Sequence, residues 1–251
     1  MNVLFLDLDN TLLYSHRHDF PGAKRWVEML HGKPQSFMTE KTYQYFKNQR
    51  RFQVVPVTTR TPEQFARLDG LMADFGWRSA LLCNGALLLQ NGQEDHAWTQ
   101  ASQQCAQEER PAWEAARALA GTLAEDIVTI PPFLFYVKTD DAETVLSALR
   151  VQTDPDRLTL LRDARKVYCF PRSLNKGTAL RRYQDRFGPF FAIAAGDSTF
   201  DLPMLEQAEL GFCPGALAAQ LRNPHRIPCT QGIFSEEICH KLDALEEEHI
   251  D

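Results

Sequence analysis

The sequence predicts an α/β protein: a doubly wound, mostly parallel sheet with a smaller α+β module inserted into it. Three observations lead there. The short apolar runs "VLFLDL", "FQVVPVTT", "SALLCN" and "FFAIAAGD" each lead into turn or helix-start residues, the pattern of buried parallel strands. Helical segments alternate with them, and a stretch of different character interrupts the alternation mid-chain. At 251 residues, 44% of them hydrophobic, the chain can hold one large domain with an insertion.

The elements follow in order. Val3, Leu4, Phe5 and Leu6 open the first strand, which ends in Asp7 and Asp9. "PEQFARLDGLMADFG" and "NKGTALRRYQDRFG" have helical spacing and finish on glycine, the residue suited to a left-handed helix end. In the middle, Asn91-Gly92 between strand-like pieces signals a hairpin, and "QEERPAWEAARALAGTLAED" reads as a long helix. "PPFLFYVKT", the helix-like "DAETVLSALR", "RLTLLRD" and "KVYCFPR" follow, and the whole reads as an α+β module in the order β-hairpin, helix, strand, helix, strand. The expected organisation is a core of residues 1-86 and 172-251 with an insert at 87-171.

Composition narrows the function. A net charge of -6 without a basic run argues against nucleic acid, so an anionic ligand needs a few placed cations. No run approaches the roughly 20 apolar residues that span a bilayer, and no basic lead with an apolar stretch opens the chain; a cytoplasmic protein is expected, with no membrane partner. The cysteines form no Cys-x-x-Cys pair, and His16 and His18 in "SHRHDF" lack a third ligand at a recognisable spacing, so that segment reads as a polar loop.

The chemistry gathers at strand ends. Asp7 and Asp9 point the same way if the strand runs through both, at the carboxyl edge where open α/β sheets bind ligands. Carboxylates this close call for a cation or a shared proton, and Mg²⁺ suits an oxygen site with few carboxylates. Thr58 ends the second run, beside Thr59 and Arg60; Lys176 stands at a helix start; Asp197 follows Gly196, with Asp201 four residues on.

In that order, DxDxT, strand-end Thr, Lys and GDxxxD, the sequence resembles the haloacid dehalogenase-like (HAD) phosphohydrolases, and "LCNGALL", "NKGTAL" and "GDSTFDLPML" resemble the Cof-type and sucrose-phosphatase-like branch with a type II cap. The resemblance implies a Rossmann-like core and a phosphatase for a small phosphorylated metabolite, a sugar phosphate or similar. It makes Asp7 the nucleophile and Asp9 the acid and base, which calls for a pKa on Asp9 above that of Asp7. Thr58 and Lys176 bind phosphate; Arg60 and Asn84, which stand next to motif positions, are candidate contacts to phosphate or sugar, and Asn84 equally reads as a turn residue before Gly85. Asp7, the Asp9 carbonyl and Asp197 hold Mg²⁺, with Asp201 beside them. Cap candidates for the leaving group are Lys138, Arg162, Arg165 and Lys166. Relatives carry GDSxND where this chain has Phe200 before Asp201, which removes a polar partner for the lysine or the phosphate. That departure motivates the alternative of a weakened relative that binds a phosphorylated ligand or partner. A phospho-receiver domain is disfavoured by the DxD spacing and by the insert.

Overall fold

The computed structural model describes residues 2–68 and 70–245. Its central sheet is five parallel strands in the order β15-β14-β13-β1-β5, comprising β1 (Asn2–Leu6), β5 (Phe52–Pro56), β13 (Phe191–Ala195), β14 (Leu210–Pro214) and β15 (Arg226–Cys229). Val3 through Leu6 are fully buried, because helices cover both faces. Leu4 and Leu6 face a core shared with α1 (Glu40–Asn48) and α10 (Phe234–Ala244). Val3 and Phe5 face the opposite core, built with α7 (Lys176–Phe187), α8 (Leu202–Gln207) and α9 (Gly215–Ala218).

Beyond β5, a parallel bridge from Val57 to Leu81 brings in β6 (Ser79–Leu82), which carries the antiparallel strands β7 (Leu87–Gln90) and β8 (Gln93–Glu94). Asn91 and Gly92 both take positive φ, as the expected two-residue turn demands. The segment predicted as an insert divides by packing. Its first part, β7, β8 and α4 (His96–Cys105), rests on the central domain: the Trp98 indole donates to the Gly85 carbonyl at 3.1 Å, and Arg182 of α7 lies over its ring. The rest has its own core around Trp113, Phe135, Leu146 and Val167. That part comprises α5 (Arg110–Leu123), β9 (Ile127–Ile130), β10 (Leu134–Lys138), α6 (Ala142–Gln152), β11 (Leu158–Asp163) and β12 (Lys166–Pro171). Its four strands pair antiparallel in the order β11-β12-β10-β9.

Two regions differ from the sequence expectation. The helix expected over residues 62 to 76 is two short ones, α2 (Pro62–Phe65) and α3 (Leu71–Asp74), because Gly70 adopts φ +78° before α3. Residues 14 to 39 form a small sheet, β2 (Tyr14–Ser15), β3 (Lys24–Leu30) and β4 (Lys33–Thr39), where no strand is predicted. Its strands "KRWVEML" and "KPQSFMT" are too polar to stand out as apolar runs. Among the described residues no helix is long and apolar enough to cross a membrane.

The start of α7 is held close to α8. A Cβ on Gly177 would lie 2.2 Å from the Pro203 carbonyl oxygen, an atom of the main chain that has little freedom to retreat. Gly177→Ala is therefore expected to destabilise by about 2–4 kcal/mol, lowering Tm by roughly 5–10 °C in a thermal melt.

Candidate active site

Parallel pairing of β1 with β13 puts their carboxyl ends side by side, and the Asp7 amide extends the ladder by donating to the Ala195 carbonyl at 2.9 Å. The chain then leaves the sheet. Asn10 takes φ +62°, and the Leu8 carbonyl accepts from the amides of Thr11, Leu12 and Leu13, closing a tight turn. The Thr11 hydroxyl donates to Asp197 at 3.1 Å, which ties this turn to the loop after β13.

Lys176 enters from α7. Asn175 caps the helix, accepting from the amides of Gly177 and Thr178, so the lysine is fixed as the first helical residue. Its ammonium, 1% exposed, donates to Asp7 Oδ1 at 2.5 Å and to Asp201 Oδ1 at 2.6 Å. Asp201 Oδ2 accepts from the amides of Asp197 and Ser198 and from the Ser198 hydroxyl. Only glycine fits at position 196, where a Cβ would lie 2.3 Å from Asp201 Cγ. Asp201 thus braces the loop that presents Asp197.

Carboxylate oxygens of Asp7, Asp197 and Asp201 lie within 4.8 Å of one another. Burial and the Asp201 charge push the Asp7 carboxyl well above its ordinary pKa, and the same two causes push Asp197 up to about 7. Burial works against the Lys176 ammonium, but Asp201 and Asp7 overcome it and raise its pKa. Three carboxylates against one ammonium leave two negative charges on a set of hard oxygen donors. That composition fits a divalent cation, Mg²⁺ above all. Asp201 is saturated by its hydrogen bonds, so Asp7 and Asp197 have the carboxylate oxygens left for a metal.

Asp9 is turned away from that cluster and half-exposed. The Arg60 guanidinium grips it in two places, Nε to Oδ2 at 2.8 Å and Nη2 to Oδ1 at 2.7 Å. Desolvation in the cleft opposes ionisation of Asp9, yet Arg60 outweighs it and holds the carboxyl below its ordinary value. The order expected from the sequence is therefore reversed: Asp7 carries the raised pKa and Asp9 the lowered one. The reason is the arginine, which the resemblance had given only a substrate-binding role.

Asp9, Asn10, Thr59 and Tyr168 line both a small cavity of about 90 Å³ next to Asp7 and Lys176 and a larger one of about 550 Å³. The larger cavity lies between the strand-end loops, the β2-β4-β3 sheet and strands β9, β10 and β12. Thr58 is buried, its hydroxyl accepting from the Arg60 amide at 3.1 Å, while its neighbour Thr59 faces both spaces. Asn84 lines neither; it is buried with φ +61° and donates to the Leu174 carbonyl, bracing the approach to Lys176. Lys138 and Lys166 line the larger cavity and Arg162 the smaller, whereas Arg165 pairs with Asp140 and lines neither.

Sequence reasoning named Thr59 at the strand end but gave the phosphate role to Thr58, and it missed Glu28 and Tyr168, neither of which stands in a recognisable motif. The loss it assigned to Phe200 does not leave the lysine unpartnered. Lys176 has two carboxylate partners, and the Phe200 ring packs edge-on against Tyr168 and Phe170 of β12.

No family model and no curated protein matches the sequence. Solved structures do match over nearly its whole length. The chain has the fold of the HAD-superfamily phosphatases. Sucrose-phosphatase from Synechocystis sp. PCC6803, in complex with sucrose and phosphate, is 16% identical with a TM-score of 0.63, covering 97% of both chains. A HAD subclass IIB sugar phosphatase is 13% identical with a TM-score of 0.67, covering 98% of this chain and 99% of its own. A haloacid dehalogenase-like hydrolase from B. subtilis is 16% identical with a TM-score of 0.61, covering 98% and 100%.

A pH dependence follows from the carboxylates. The Asp7 and Asp197 pKa values are raised by folding without metal, so both favour the fold while protonated, and the Asp197 contribution is lost as pH climbs from about 4 to about 7. Metal needs them ionised. Mg²⁺ is expected to raise Tm by several degrees at about pH 8 and by little at about pH 5.5, read by thermal melting with and without the ion.

Proposed function

We propose that the protein is a Mg²⁺-dependent phosphatase that hydrolyses a small phosphomonoester, a sugar phosphate or similar metabolite, through an aspartyl phosphate on Asp7. The observation that carries this reading is the buried Lys176 ammonium held between Asp7 and Asp201 at the carboxyl edge of a parallel sheet, beside Asp197. Such a site attracts a phosphoryl group through Lys176 and the metal, and it offers one carboxylate as nucleophile.

In the first half-reaction an Asp7 oxygen attacks phosphorus, and the bond to the ester oxygen breaks with its electron pair on that oxygen. Asp9 gives the oxygen its proton. In the second, Asp9 takes a proton from water, whose oxygen attacks the phosphorus and releases Asp7. Mg²⁺, held by Asp7, Asp197 and the Asp9 main-chain carbonyl, supplies charge that shields the anionic phosphate from the anionic nucleophile. Lys176 keeps Asp7 in place and neutralises the transferring group. Thr58 and Thr59 follow β5 at the phosphate and offer their hydroxyls. Arg60 keeps Asp9 ionised at rest, so Asp9 has to take up a proton, from water or from the phosphate monoanion of the substrate, as the bound ester loosens that pair; it then passes this proton to the leaving oxygen.

The cap is assigned to α5 through β12, which share one small core. It covers the larger cavity, whose about 550 Å³ suits a leaving group of sugar size and excludes a folded protein. Lys138, Lys166 and Tyr168 are its contacts for that group. The weakened-binder alternative drew on Phe200 removing a polar partner of the lysine or the phosphate; the lysine's two carboxylates support the active enzyme.

The test is Mg²⁺-dependent phosphate release from a panel of sugar phosphates, nucleotides and small phosphorylated acids. Asp7→Asn is expected to lower turnover by at least about 10³-fold with the fold intact, and excess EDTA to abolish it. A fully active Asp7→Asn protein would refute the nucleophile assignment. Lys176→Ala is expected to lose activity and also about 3–5 kcal/mol of stability, because it leaves two buried carboxylates facing each other. A chemical denaturation curve separates the two effects.

A further inference from the structure

Glu28 is a buried carboxylate to which the reaction above gives no role. It reaches the site through an irregularity in β3. The pairing of β3 with β4 shifts on either side of Glu28, between Trp26 and Met29, so Val27 and Glu28 are both buried although they are neighbours in sequence. In a regular strand they would face opposite ways. A bulge that turns a charged side chain inward needs compensating contacts.

Glu28 has three such partners. The Ser36 hydroxyl donates to Oε2 at 2.6 Å, Arg67 forms an ion pair with Oε1 at 3.1 Å, and Arg60 Nη2 donates to Oε2 at 3.0 Å. The remaining Arg60 contacts complete a clamp. The same Nη2 and Nε hold Asp9, while Nη1 donates to the Gln64 carbonyl at 3.3 Å. All three guanidinium nitrogens are engaged, and the group is planar and rigid. Whatever grips the far edge therefore sets the edge offered to Asp9.

Building on the phosphatase reading, we propose that Glu28 is a positioning residue for proton transfer to the leaving group. It acts through Arg60, fixing the Asp9 carboxyl between the small cavity beside Asp7 and the larger one. Without Glu28 the guanidinium is free to tilt, and its charge is balanced by Asp9 alone. Asp9 then delivers its proton to the ester oxygen less accurately as the Asp7–phosphorus bond forms and the phosphorus–oxygen bond breaks. Esters with poor leaving groups suffer most, because a good leaving group departs without the proton.

The experiment compares kcat/KM for p-nitrophenyl phosphate with kcat/KM for phenyl phosphate, two esters of similar shape and different leaving-group strength, because kcat/KM reports the first half-reaction, in which the leaving group departs. Glu28→Ala is expected to raise the ratio of the two by at least about tenfold, as Arg60→Ala does. Glu28→Gln, which keeps an acceptor for Ser36 and Arg60, raises it less, by about threefold. The double variant Glu28→Ala, Arg60→Ala behaves like Arg60→Ala alone, since one residue acts through the other. Thermal melts establish that each variant folds. An unchanged ratio in folded Glu28→Gln and Glu28→Ala overturns the inference, as does an effect of Glu28→Ala that persists in the Arg60→Ala background. If Glu28→Ala does not fold, the Glu28→Gln ratio alone decides. No phosphate release by the unsubstituted protein from either ester or from any member of the metabolite panel overturns the phosphatase reading itself, and this inference with it.

Discussion

One buried ammonium organises this structure. Lys176 occupies the first position of α7, where the helix dipole disfavours a cation, and it is almost wholly removed from water. Neither condition is tolerable without negative partners. Asp7 supplies one from the end of β1, and Asp201 supplies the other from the loop after β13. These segments are far apart in sequence, and the parallel pairing of β1 with β13 brings two of them together while α7 brings the third. The glycines at 177 and 196 allow the close approaches that this requires, one against Pro203 and one against Asp201. The packing of the core and the charge of the site are therefore one constraint, since the lysine cannot be buried unless the sheet delivers both carboxylates.

The second carboxylate of the DxD pair answers to a different cation. Asp7 and Asp9 diverge because β1 ends at Leu6, and the tight turn that follows buries Leu8 between them. One aspartate goes to the lysine and the other to Arg60. This separation assigns them different electrostatic states, with Asp7 held in a pocket that resists its charge and Asp9 in one that favours it. On the proposed function, Mg²⁺ would relieve the crowding of negative charge around Asp7, and a leaving group would compete with Arg60 for Asp9.

Much of this was legible in the sequence where the determinants are local. The run from Val3 to Leu6 ending in Asp7, the Asn175–Lys176 helix start and the Gly196–Asp197 corner each carry their structural reason within a few residues, and their order carried the fold. Glu28 was not legible, because a bulge in a polar strand decides its direction, and strand alternation alone makes Val27 or Glu28 the buried residue but not both. Arg60 was legible as a site residue but not as the partner of Asp9, a contact across 51 positions of chain. The extent of the cap was obscured for a related reason: "ALLLQNGQE" has the pattern of a hairpin wherever it sits, and only its pairing with β6 fixes it to the central domain.

Phe200 brings these strands of argument together. Read as a substitution in the acidic loop, it suggests a site lacking a polar group. In the folded chain its ring is 5.2 Å from Tyr168 and 6.0 Å from Phe170, edge-on to both, and all three are buried. Tyr168 also lines the cavities that hold Asp9, so the loop presenting Asp197 touches the cap directly through an aromatic contact. An asparagine at this position lacks the apolar surface to make that contact, while the phenylalanine gains dispersion and edge-to-face attraction on the order of 1 kcal/mol per ring pair beyond its burial. The loop that braces Lys176 and strand β12, whose Tyr168 lines both cavities, are thereby joined by an apolar contact; on the proposed function, any opening of the cap would have to break it and so disturb the loop that presents Asp197.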